Sequence, residues 1–365
     1  SRAEEVVHSI LRGVDITVNG TNEGDIQVHD PRFYQRVLSG GSLALGESYM
    51  DGWWSANKLD VFFTKFLSDP ELRASTRKYW PTILNSYLAQ LTNRQNRSLS
   101  VKSVHSHYDI GNDLYAPMLG RTMAYTCAYW NGAKTLDEAQ DAKFDLVCRK
   151  IGLQPGMTVL DLGCGWGGFA HYAAKNYGAK VTGYTVSTEQ VALGREMNKG
   201  LPVELKLEDY RSADGKFDRV VSIGLLEHVG FKNYREFMQV MQRNMKDDHA
   251  VGLFHTIGSN FSTDSIDPWI DKYIFPNAML PSISQLSKAM ENIFVMEDWH
   301  NISANYDLTL MAWNENFQQS WPEFQAKYGD RFKRMWEYYL LCCAGTFRSR
   351  VNQLWQVVIS KRGVP

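Results

Sequence analysis

From about Gly152 onward, short apolar runs alternate with amphipathic segments. Apolar runs bounded by glycine or polar residues are typical of buried strands, whereas apolar residues that recur every three or four positions indicate a helix. The predicted strands are residues 157–162, 180–186, 203–207, 219–223, 250–255 and 294–298, and the predicted helices include 169–177 and 231–245. This alternation predicts an α/β fold with a doubly wound, mostly parallel sheet, in which ligands bind beyond the carboxyl ends of the strands.

The residues before this pattern have a different character. Residues 1–91 mix short helical patterns with turn-rich segments such as 19–24 and 39–42. Residues 92–103 are polar and have no apolar period, which is typical of a linker. The sequence therefore predicts a smaller, mainly helical N-terminal domain at 1–91, a linker at 92–103 and a larger domain at 104–365.

Composition excludes some classes of protein and leaves others open. The 365 residues carry a formal net charge of -1, so no global basic field points to nucleic acid. No apolar run approaches the roughly 20 residues that a membrane span needs. The five cysteines have neither zinc-site nor disulfide spacing, so we expect no metal and a reducing, cytoplasmic environment. The first residues also lack the charged-then-apolar order of a signal peptide.

Two features leave open how the chain meets a membrane. Residues 61–67 and 79–84 are rich in aromatic and aliphatic side chains, which fits either an interfacial helix or the core of the small domain. Basic residues also flank a helical pattern at 332–347, where they either attract anionic headgroups or solvate a packed helix. These basic residues are Arg331, Lys333, Arg334, Arg348 and Arg350.

A glycine-rich loop follows the first predicted strand of the sheet. It carries an acidic residue and three glycines at alternate positions: Asp161, Gly163, Gly165 and Gly167. Glycine lets the backbone turn sharply and approach a ligand, but this spacing differs from the Gly-x-Gly-x-x-Gly of dinucleotide sites. Asp209 follows a later strand, where its carboxylate would accept a hydrogen bond from an adenine amino group. The pattern favours S-adenosylmethionine over the alternative that the glycines only pack helix on strand.

The second predicted strand ends without an acidic residue for ribose hydroxyls. Thr185 and Gln190 are the nearby polar substitutes. Ser187 is expected to cap the following helix, with Gln190 completing a capping box.

Three further polar segments are expected at the carboxyl edge of the sheet. Glu227 and His228 follow the fourth strand, residues 255–258 end the fifth, and residues 125–130 precede the sheet and could fold over the cofactor. Taken singly, a histidine at a strand end is often structural, and a cysteine among aromatic residues is often a small buried hydrophobe. Their convergence around a sulfonium cofactor favours a role in catalysis.

Seven segments spread along the whole chain resemble bacterial cyclopropane-fatty-acyl-phospholipid synthases. These segments are residues 46–54, 107–113, 127–130, 227–230, 267–276, 297–300 and 353–358. The resemblance includes the N-terminal part, which the more distantly similar mycolic-acid cyclopropane synthases largely lack. It therefore implies more than a shared Rossmann-like methyltransferase sheet, and it makes residues 104–365 an S-adenosylmethionine-dependent catalytic domain and residues 1–91 a lipid-interaction domain.

The resemblance also implies which residues form the site. A bicarbonate ion that serves as general base would be held by Cys127, Glu227, His255, the backbone of Ile257, and Tyr306. The cofactor contacts implied beside the glycine loop are Tyr125, Thr126, Thr185, Gln190, Asp209 and Tyr210. Thr126 stands where relatives commonly have serine, and its hydroxyl is retained.

The implied reaction is transfer of a methylene group from S-adenosylmethionine across the cis double bond of an unsaturated acyl chain in a membrane phospholipid. A carbocation would form first, and loss of a proton to the bound bicarbonate would close the cyclopropane ring. The resemblance further implies a homodimer that associates peripherally with the inner face of the cell membrane.

Three alternatives remain at this point. An alkene methylase would quench the same cation to leave a methyl branch. A small-molecule N-methyltransferase would share the sheet but needs no bicarbonate site. A lipid-binding protein with an inert methyltransferase domain would not need both the complete glycine loop and Asp209.

Overall fold

A computed structural model describes residues 1–70 and 110–364. In chain order its helices are α1 (Arg2–Arg12), α2 (Arg32–Met50), α3 (Leu59–Ser68), α4 (Asn112–Leu119), α5 (Leu136–Lys150), α6 (Gly168–Tyr177), α7 (Thr188–Met197), α8 (Tyr234–Asn244), α9 (Pro268–Tyr273), α10 (Ile283–Met290) and α11 (Ala304–Arg348). Its strands are β1 (Ile26–Val28), β2 (Trp54–Ala56), β3 (Thr158–Leu162), β4 (Lys180–Thr185), β5 (Val203–Leu207), β6 (Arg219–Ile223), β7 (Val251–Ser259), β8 (Val295–Asn301) and β9 (Asn352–Ser360).

The described residues form two compact units. The helical unit contains those of Ser1–Thr92 together with Ser265–Pro276 and Tyr306–Asn352. The sheet unit contains the remainder, so neither unit is continuous in sequence. The predicted linker at 92–103 lies outside the described residues, and the proposed functional division of the chain remains a prediction.

The sheet unit is built on a seven-stranded sheet in the order β5-β4-β3-β6-β7-β9-β8. Strands β5, β4, β3, β6 and β7 pair in parallel with their neighbours, while β8 and β9 are antiparallel. The predicted doubly wound, mostly parallel sheet is therefore confirmed. Strands β5 and β6 have the predicted bounds. Strand β7 continues four residues beyond the predicted end at His255, and β9 was not predicted as a strand.

Helices cover both faces of this sheet. Neighbouring residues of a strand point to opposite faces, and here the residues on both faces are apolar and need a covering layer. Leu160 and Val220 join the core formed with α8 and α10. Val159 and Val221, one position away, join the core formed with α5 and α6. Both faces are thus apolar, which leaves the strand ends as the place where buried polar groups converge.

The helical unit packs its own aromatic core around a two-stranded antiparallel sheet of β1 and β2. Trp54, Phe62 and Trp269 are almost fully buried, and the rings of Trp269 and Tyr338 lie 4.5 Å apart. The apolar segment 61–67 therefore contributes Phe62 to a core. Segment 79–84 lies outside the described residues.

Some of the basic residues near the C-terminus are already paired. Arg348 donates to Asp60 at 2.7 Å and to Asp307 at 2.8 and 2.9 Å, and Arg331 donates to Asp51 at 3.1 Å. These guanidinium groups stabilise the helical unit. Among the described residues, no helix is long and apolar enough to cross a bilayer.

A substitution at Gly258 tests how β7 packs against β9. An added Cβ would overlap the buried ring of Trp355, so Gly258→Ala is expected to lower the free energy of unfolding by about 1–3 kcal/mol. Gly252→Ala on the same strand is the comparison and should cost less, because its Cβ would lie 2.9 Å from Met245 Cε and 3.0 Å from Ile359 Cγ1, both in flexible side chains rather than in a rigid ring. Chemical denaturation measures both. Equal stability of the two variants would contradict this account of the packing.

Candidate active site

The glycine loop after β3 is fixed against the end of β4. The N–H groups of Gly163 and Cys164 donate to the carbonyl oxygen of Tyr184 at 3.0 and 2.9 Å. Gly163, Gly165 and Gly167 have φ values of 78°, 57° and 80°, a region that favours glycine. A Cβ on Gly165 would meet nothing within 4 Å. The loop therefore leaves open space for a ligand beside Gly165.

Asp161 stands at the end of β3 and is 2% exposed. Its Oδ1 has no hydrogen-bond partner within the described part of the chain. Burial raises the pKa of this carboxyl, and the positive charge of Lys143 opposes that rise. An unsatisfied buried oxygen at a strand end suits a ligand that brings a donor.

Thr185 and Gln190 pair with each other at the end of β4. The Thr185 hydroxyl donates to Gln190 Oε1 at 2.7 Å. Ser187 caps α7 as predicted, since its Oγ accepts the Gln190 N–H at 3.3 Å. The predicted capping box is only half formed, because the Gln190 side chain is bonded to Thr185. The two predicted cofactor residues thus present a joined polar pair.

Asp209 and Tyr210 follow β5, beside Thr185. The Glu208 N–H donates to the Thr185 carbonyl at 2.9 Å, which brings the two strand ends together. The Asp209 carboxylate accepts a hydrogen bond from the Arg211 guanidinium, with 3.1 Å between Oδ2 and Nη1. Tyr210 is buried, and its hydroxyl has no hydrogen-bond partner among the described residues. The contact of Asp209 with an adenine amino group remains a prediction.

Glu227 is held by the backbone of the neighbouring strand. It lies on a short 3₁₀ turn, Leu226–His228, and its Oε1 accepts the Ile257 N–H at 2.7 Å. Its Oε2 is buried and has no hydrogen-bond partner in residues 1–70 and 110–364. Burial raises the pKa of Glu227 to about 7, and the Ile257 N–H moderates that rise. The carboxyl group is therefore poised to exchange a proton near neutral pH.

His255 is buried on β7 and orientated by Gln356. In the amide orientation of the structure, Gln356 Nε2 donates to His255 Nδ1 at 3.3 Å, which makes Nδ1 the acceptor. The proton of the neutral ring then belongs on Nε2, an atom that has no partner in the described residues. Burial, aided by the charges of Lys143 and Lys150, holds the pKa of His255 well below its usual range. His255 is thus a neutral imidazole, and in this orientation of the Gln356 amide its donor atom is Nε2.

The Tyr125–Cys127 segment packs near the glycine loop. The ring of Tyr125 lies 5.3 Å from that of Tyr115, which in turn lies 5.4 Å from that of Trp166 in the loop. Cys127 is fully buried, and its thiol donates to the Ala128 carbonyl at 3.2 Å. The structure therefore places this segment beside the loop.

Tyr306 belongs to the helical unit, in which its ring stacks on that of Phe347 with the centroids 4.4 Å apart. The residue before it, Asn305, belongs to the sheet unit and accepts the Trp130 N–H at 2.7 Å. Among the five residues predicted to hold bicarbonate, a direct hydrogen bond joins Glu227 to Ile257. The roles predicted for Cys127, Glu227, His255, Ile257 and Tyr306 stay predictions.

Sequence reasoning gave no role to three buried polar residues beside the site: Gln140, Lys143 and Gln356. Gln140 and Lys143 lie in phase with the apolar stripe of α5. Gln356 interrupts an apolar run in β9. Polar residues at positions that the pattern reserves for the core were the signal that could have found them.

Glu227 is expected to make stability depend on pH. Its raised pKa means that the folded protein retains the proton to higher pH than the unfolded chain, so its contribution to the unfolding free energy falls as pH rises from 4.5 to about 7. Glu227→Gln should therefore gain about 2 kcal/mol relative to the unmodified protein between about pH 5 and about pH 8. Chemical denaturation at both pH values measures this, with the exposed Glu291→Gln as control. A pH-independent difference would contradict the buried titration.

Comparison with known proteins agrees with this geometry. The family described as mycolic acid cyclopropane synthetase matches residues 95–357. The chain is 49% identical to cyclopropane-fatty-acyl-phospholipid synthase of Escherichia coli over 98% of this chain and 93% of that protein. It is 37% identical to a probable fatty acid methyltransferase of Pseudomonas putida, over 73% of this chain and 71% of the relative.

Among solved structures, mycolic acid cyclopropane synthase CmaA1 complexed with SAH and CTAB superposes with a TM-score of 0.66. It is 31% identical and covers 72% of this chain, and 98% of that chain is matched. The glycine loop, the sheet order and these similarities lead to one assignment. The chain belongs to the cyclopropane synthase family and is an S-adenosylmethionine-dependent enzyme with a Rossmann-like methyltransferase sheet.

Proposed function

We propose that this protein transfers a methylene group from S-adenosylmethionine to the cis double bond of an unsaturated acyl chain in a membrane phospholipid, forming a cyclopropane ring. The observation that carries the proposal is the 49% identity to cyclopropane-fatty-acyl-phospholipid synthase, which extends over 98% of the chain. Similarity of that extent includes the helical unit as well as the sheet unit, so it goes beyond a shared cofactor-binding sheet.

The residues at the carboxyl edge fit S-adenosylmethionine. Gly165 leaves room for close approach, and Asp161 Oδ1 offers an acceptor that lacks a partner among the described atoms. The Thr185–Gln190 pair offers polar groups to the ribose. When bound, the cofactor supplies an electrophilic methyl group on a positively charged sulfur.

The reaction needs no side-chain base for its first bond. The π electrons of the alkene attack the methyl carbon while the carbon–sulfur bond breaks, which leaves a carbocation on the acyl chain. Aromatic faces stabilise such a cation by roughly 0.5–2 kcal/mol each. Loss of a proton from the newly attached methyl group then releases the electron pair that closes the ring. This second step requires a base small enough to fit beside the acyl chain.

We propose that a bicarbonate ion provides that base. Two buried atoms without partners in the described structure fit a small oxyanion: Glu227 Oε2 and His255 Nε2. The neutral His255 ring donates from Nε2, and Glu227 exchanges a proton near neutral pH because its pKa is about 7. Cys127 and the Ile257 backbone are assigned to the same site on family resemblance, and the role predicted for Tyr306 rests on that resemblance alone. Glu227 would then relay the proton away from the site.

The same resemblance supports three further parts of the proposal. The protein is expected in the cytoplasm, peripherally associated with the inner face of the membrane, and as a homodimer. The lipid substrate gives physical support to the membrane association alone, because its double bond lies inside the bilayer.

A methyl-branched product is the second candidate. The 37% identity to a probable fatty acid methyltransferase favours it, since the same carbocation gives a methyl branch when it is quenched differently. The two candidates differ only in the fate of the cation, so the product distinguishes them.

Product analysis tests the proposal. The protein is incubated with S-adenosylmethionine and vesicles of a cis-unsaturated phospholipid, in bicarbonate-depleted buffer and after bicarbonate is restored. Mass spectrometry should show gain of one CH₂, and proton NMR should show cyclopropane signals in place of the vinyl signals, with turnover dependent on bicarbonate. Unchanged lipid under both conditions would contradict the proposed function. A methyl branch would establish the second candidate, and bicarbonate-independent turnover would exclude that ion as the base.

Glu227→Gln tests the relay. It keeps the acceptor for the Ile257 N–H but cannot exchange a proton, so turnover should fall about 100-fold or more. The dissociation constant for S-adenosylhomocysteine, measured by calorimetry, should change less than about threefold. The exposed Glu291→Gln is the control for both measurements. Unchanged turnover with full cofactor affinity would remove the relay role.

A further inference from the structure

Lys143 is a buried lysine to which the mechanism above gives no role. It lies on α5 with 0% of its surface exposed, as does Gln140 one turn earlier. Burying an ammonium group is energetically costly unless other groups compensate its charge. A residue kept at that cost, in phase with the apolar stripe of the helix, requires an explanation beyond packing.

Both residues hold the same short segment. Gln140 Nε2 donates to the carbonyl oxygens of Thr126 at 2.9 Å and of Ala124 at 3.4 Å. Lys143 Nζ donates to Thr126 Oγ1 at 2.7 Å. Helix α5 therefore fixes Thr126 twice, through its backbone and through its hydroxyl group.

The direction of the second hydrogen bond determines what the hydroxyl does next. Lys143 Nζ is the donor in this contact, so Thr126 Oγ1 accepts and its own hydrogen is left to donate elsewhere. The methyl group of Thr126 packs against Gly224, where an added Cβ would lie 2.5 Å from Thr126 Cγ2. The side chain is thus held on both sides, with its hydroxyl orientated as a donor.

The charges near Lys143 indicate which group of the cofactor accepts the hydrogen bond from the Thr126 hydroxyl. Burial lowers the pKa of Lys143 to about 7, and the charges of Cys127 and Asp161 oppose that fall. Burial and the charge of Lys143 lower the pKa of His255. Asp161 is itself buried, with an Oδ1 that has no partner among the described residues. S-adenosylmethionine has a single anionic group, the α-carboxylate, whereas its sulfonium and amino groups are cations that a neighbouring lysine repels. A donor backed by a buried lysine therefore suits the carboxylate end of the cofactor.

We propose that Lys143 is a positioning residue that orientates the Thr126 hydroxyl group as a hydrogen-bond donor to the α-carboxylate of the cofactor. The proposal rests on S-adenosylmethionine binding at this edge of the sheet, as the proposed function requires. It assigns to α5 a part in cofactor selection as well as in the core.

Two ligands separate this role from a structural one. S-adenosylhomocysteine carries the α-carboxylate, and 5′-methylthioadenosine lacks the whole amino-acid end. Lys143→Met, which keeps an unbranched chain without the charge, should weaken S-adenosylhomocysteine binding about 10- to 100-fold in calorimetry. Binding of 5′-methylthioadenosine should change less than about threefold. Equal loss for both ligands, or no loss for either, would overturn the proposal.

Thr126→Val provides the second variant, in case Lys143→Met fails to fold. It removes the hydroxyl with little change of shape and should show the same ligand selectivity. The double variant should bind S-adenosylhomocysteine about as tightly as whichever single variant binds it less tightly. Both changes interrupt the same series of hydrogen bonds, from Lys143 through Thr126 to the ligand. Additive losses would show that Lys143 does not act through Thr126.

The matched control is Lys150→Met on the same helix. Lys150 pairs with Asp298 at 3.0 Å, so its loss should leave affinity for both ligands unchanged. A lipid assay without product, together with intact S-adenosylhomocysteine binding, would contradict only the proposed lipid reaction. Failure of the unmodified protein to bind S-adenosylhomocysteine would contradict the shared premise and overturn this proposal as well.

Discussion

Buried polar atoms at the carboxyl ends of the strands are the constraint on which the site depends. Asp161 Oδ1, Glu227 Oε2 and His255 Nε2 are all enclosed and lack hydrogen-bond partners among the described residues. Each such atom costs about 1–3 kcal/mol of stability. The apolar cores on both faces of the sheet offset that cost. The fold thus maintains buried polar groups that a ligand can satisfy.

Main-chain contacts supply the precision that the site needs. Glu227 is fixed by the N–H of Ile257, and the N–H of Gly224 donates to the carbonyl of His255 at 2.9 Å, which joins the ends of β6 and β7. His255 is further orientated by Gln356. A group held by backbone and by buried side chains needs little reorganisation when charge develops nearby, which is how preorganised sites lower a barrier.

The sequence predicted the sheet well because both of its faces are buried. Strand β6 has the predicted bounds, since a short apolar run in a parallel sheet ends where the apolar pattern ends. Strand β5 also has the predicted bounds, although it is an edge strand with only Leu205 buried, because its apolar and charged residues alternate. The continuation of β7 to Ser259 was missed because it depends on pairing with distant residues, such as Ser259 with Ser282. The composition of the two units was missed for the same reason, because residues 265–276 and 306–352 join the helical unit through tertiary contacts.

The site, like the fold, was predictable where local sequence patterns define it and not where it depends on tertiary contacts. Glycine spacing pointed to the cofactor loop, and resemblance pointed to Glu227 and His255. Lys143 and Gln356 were missed although each is a polar residue at a core position of an apolar pattern, because the sequence does not show the residue to which each one bonds. For Lys143 that partner is Thr126, 17 positions away in the chain.

A crystal structure of the protein with S-adenosylhomocysteine and bicarbonate tests the central claim most directly. The account predicts a planar anion within hydrogen-bond distance of Glu227 Oε2 and His255 Nε2, beside the sulfur of the ligand. An anion bound elsewhere, or a direct hydrogen bond between those two side chains that closes the space, would contradict it.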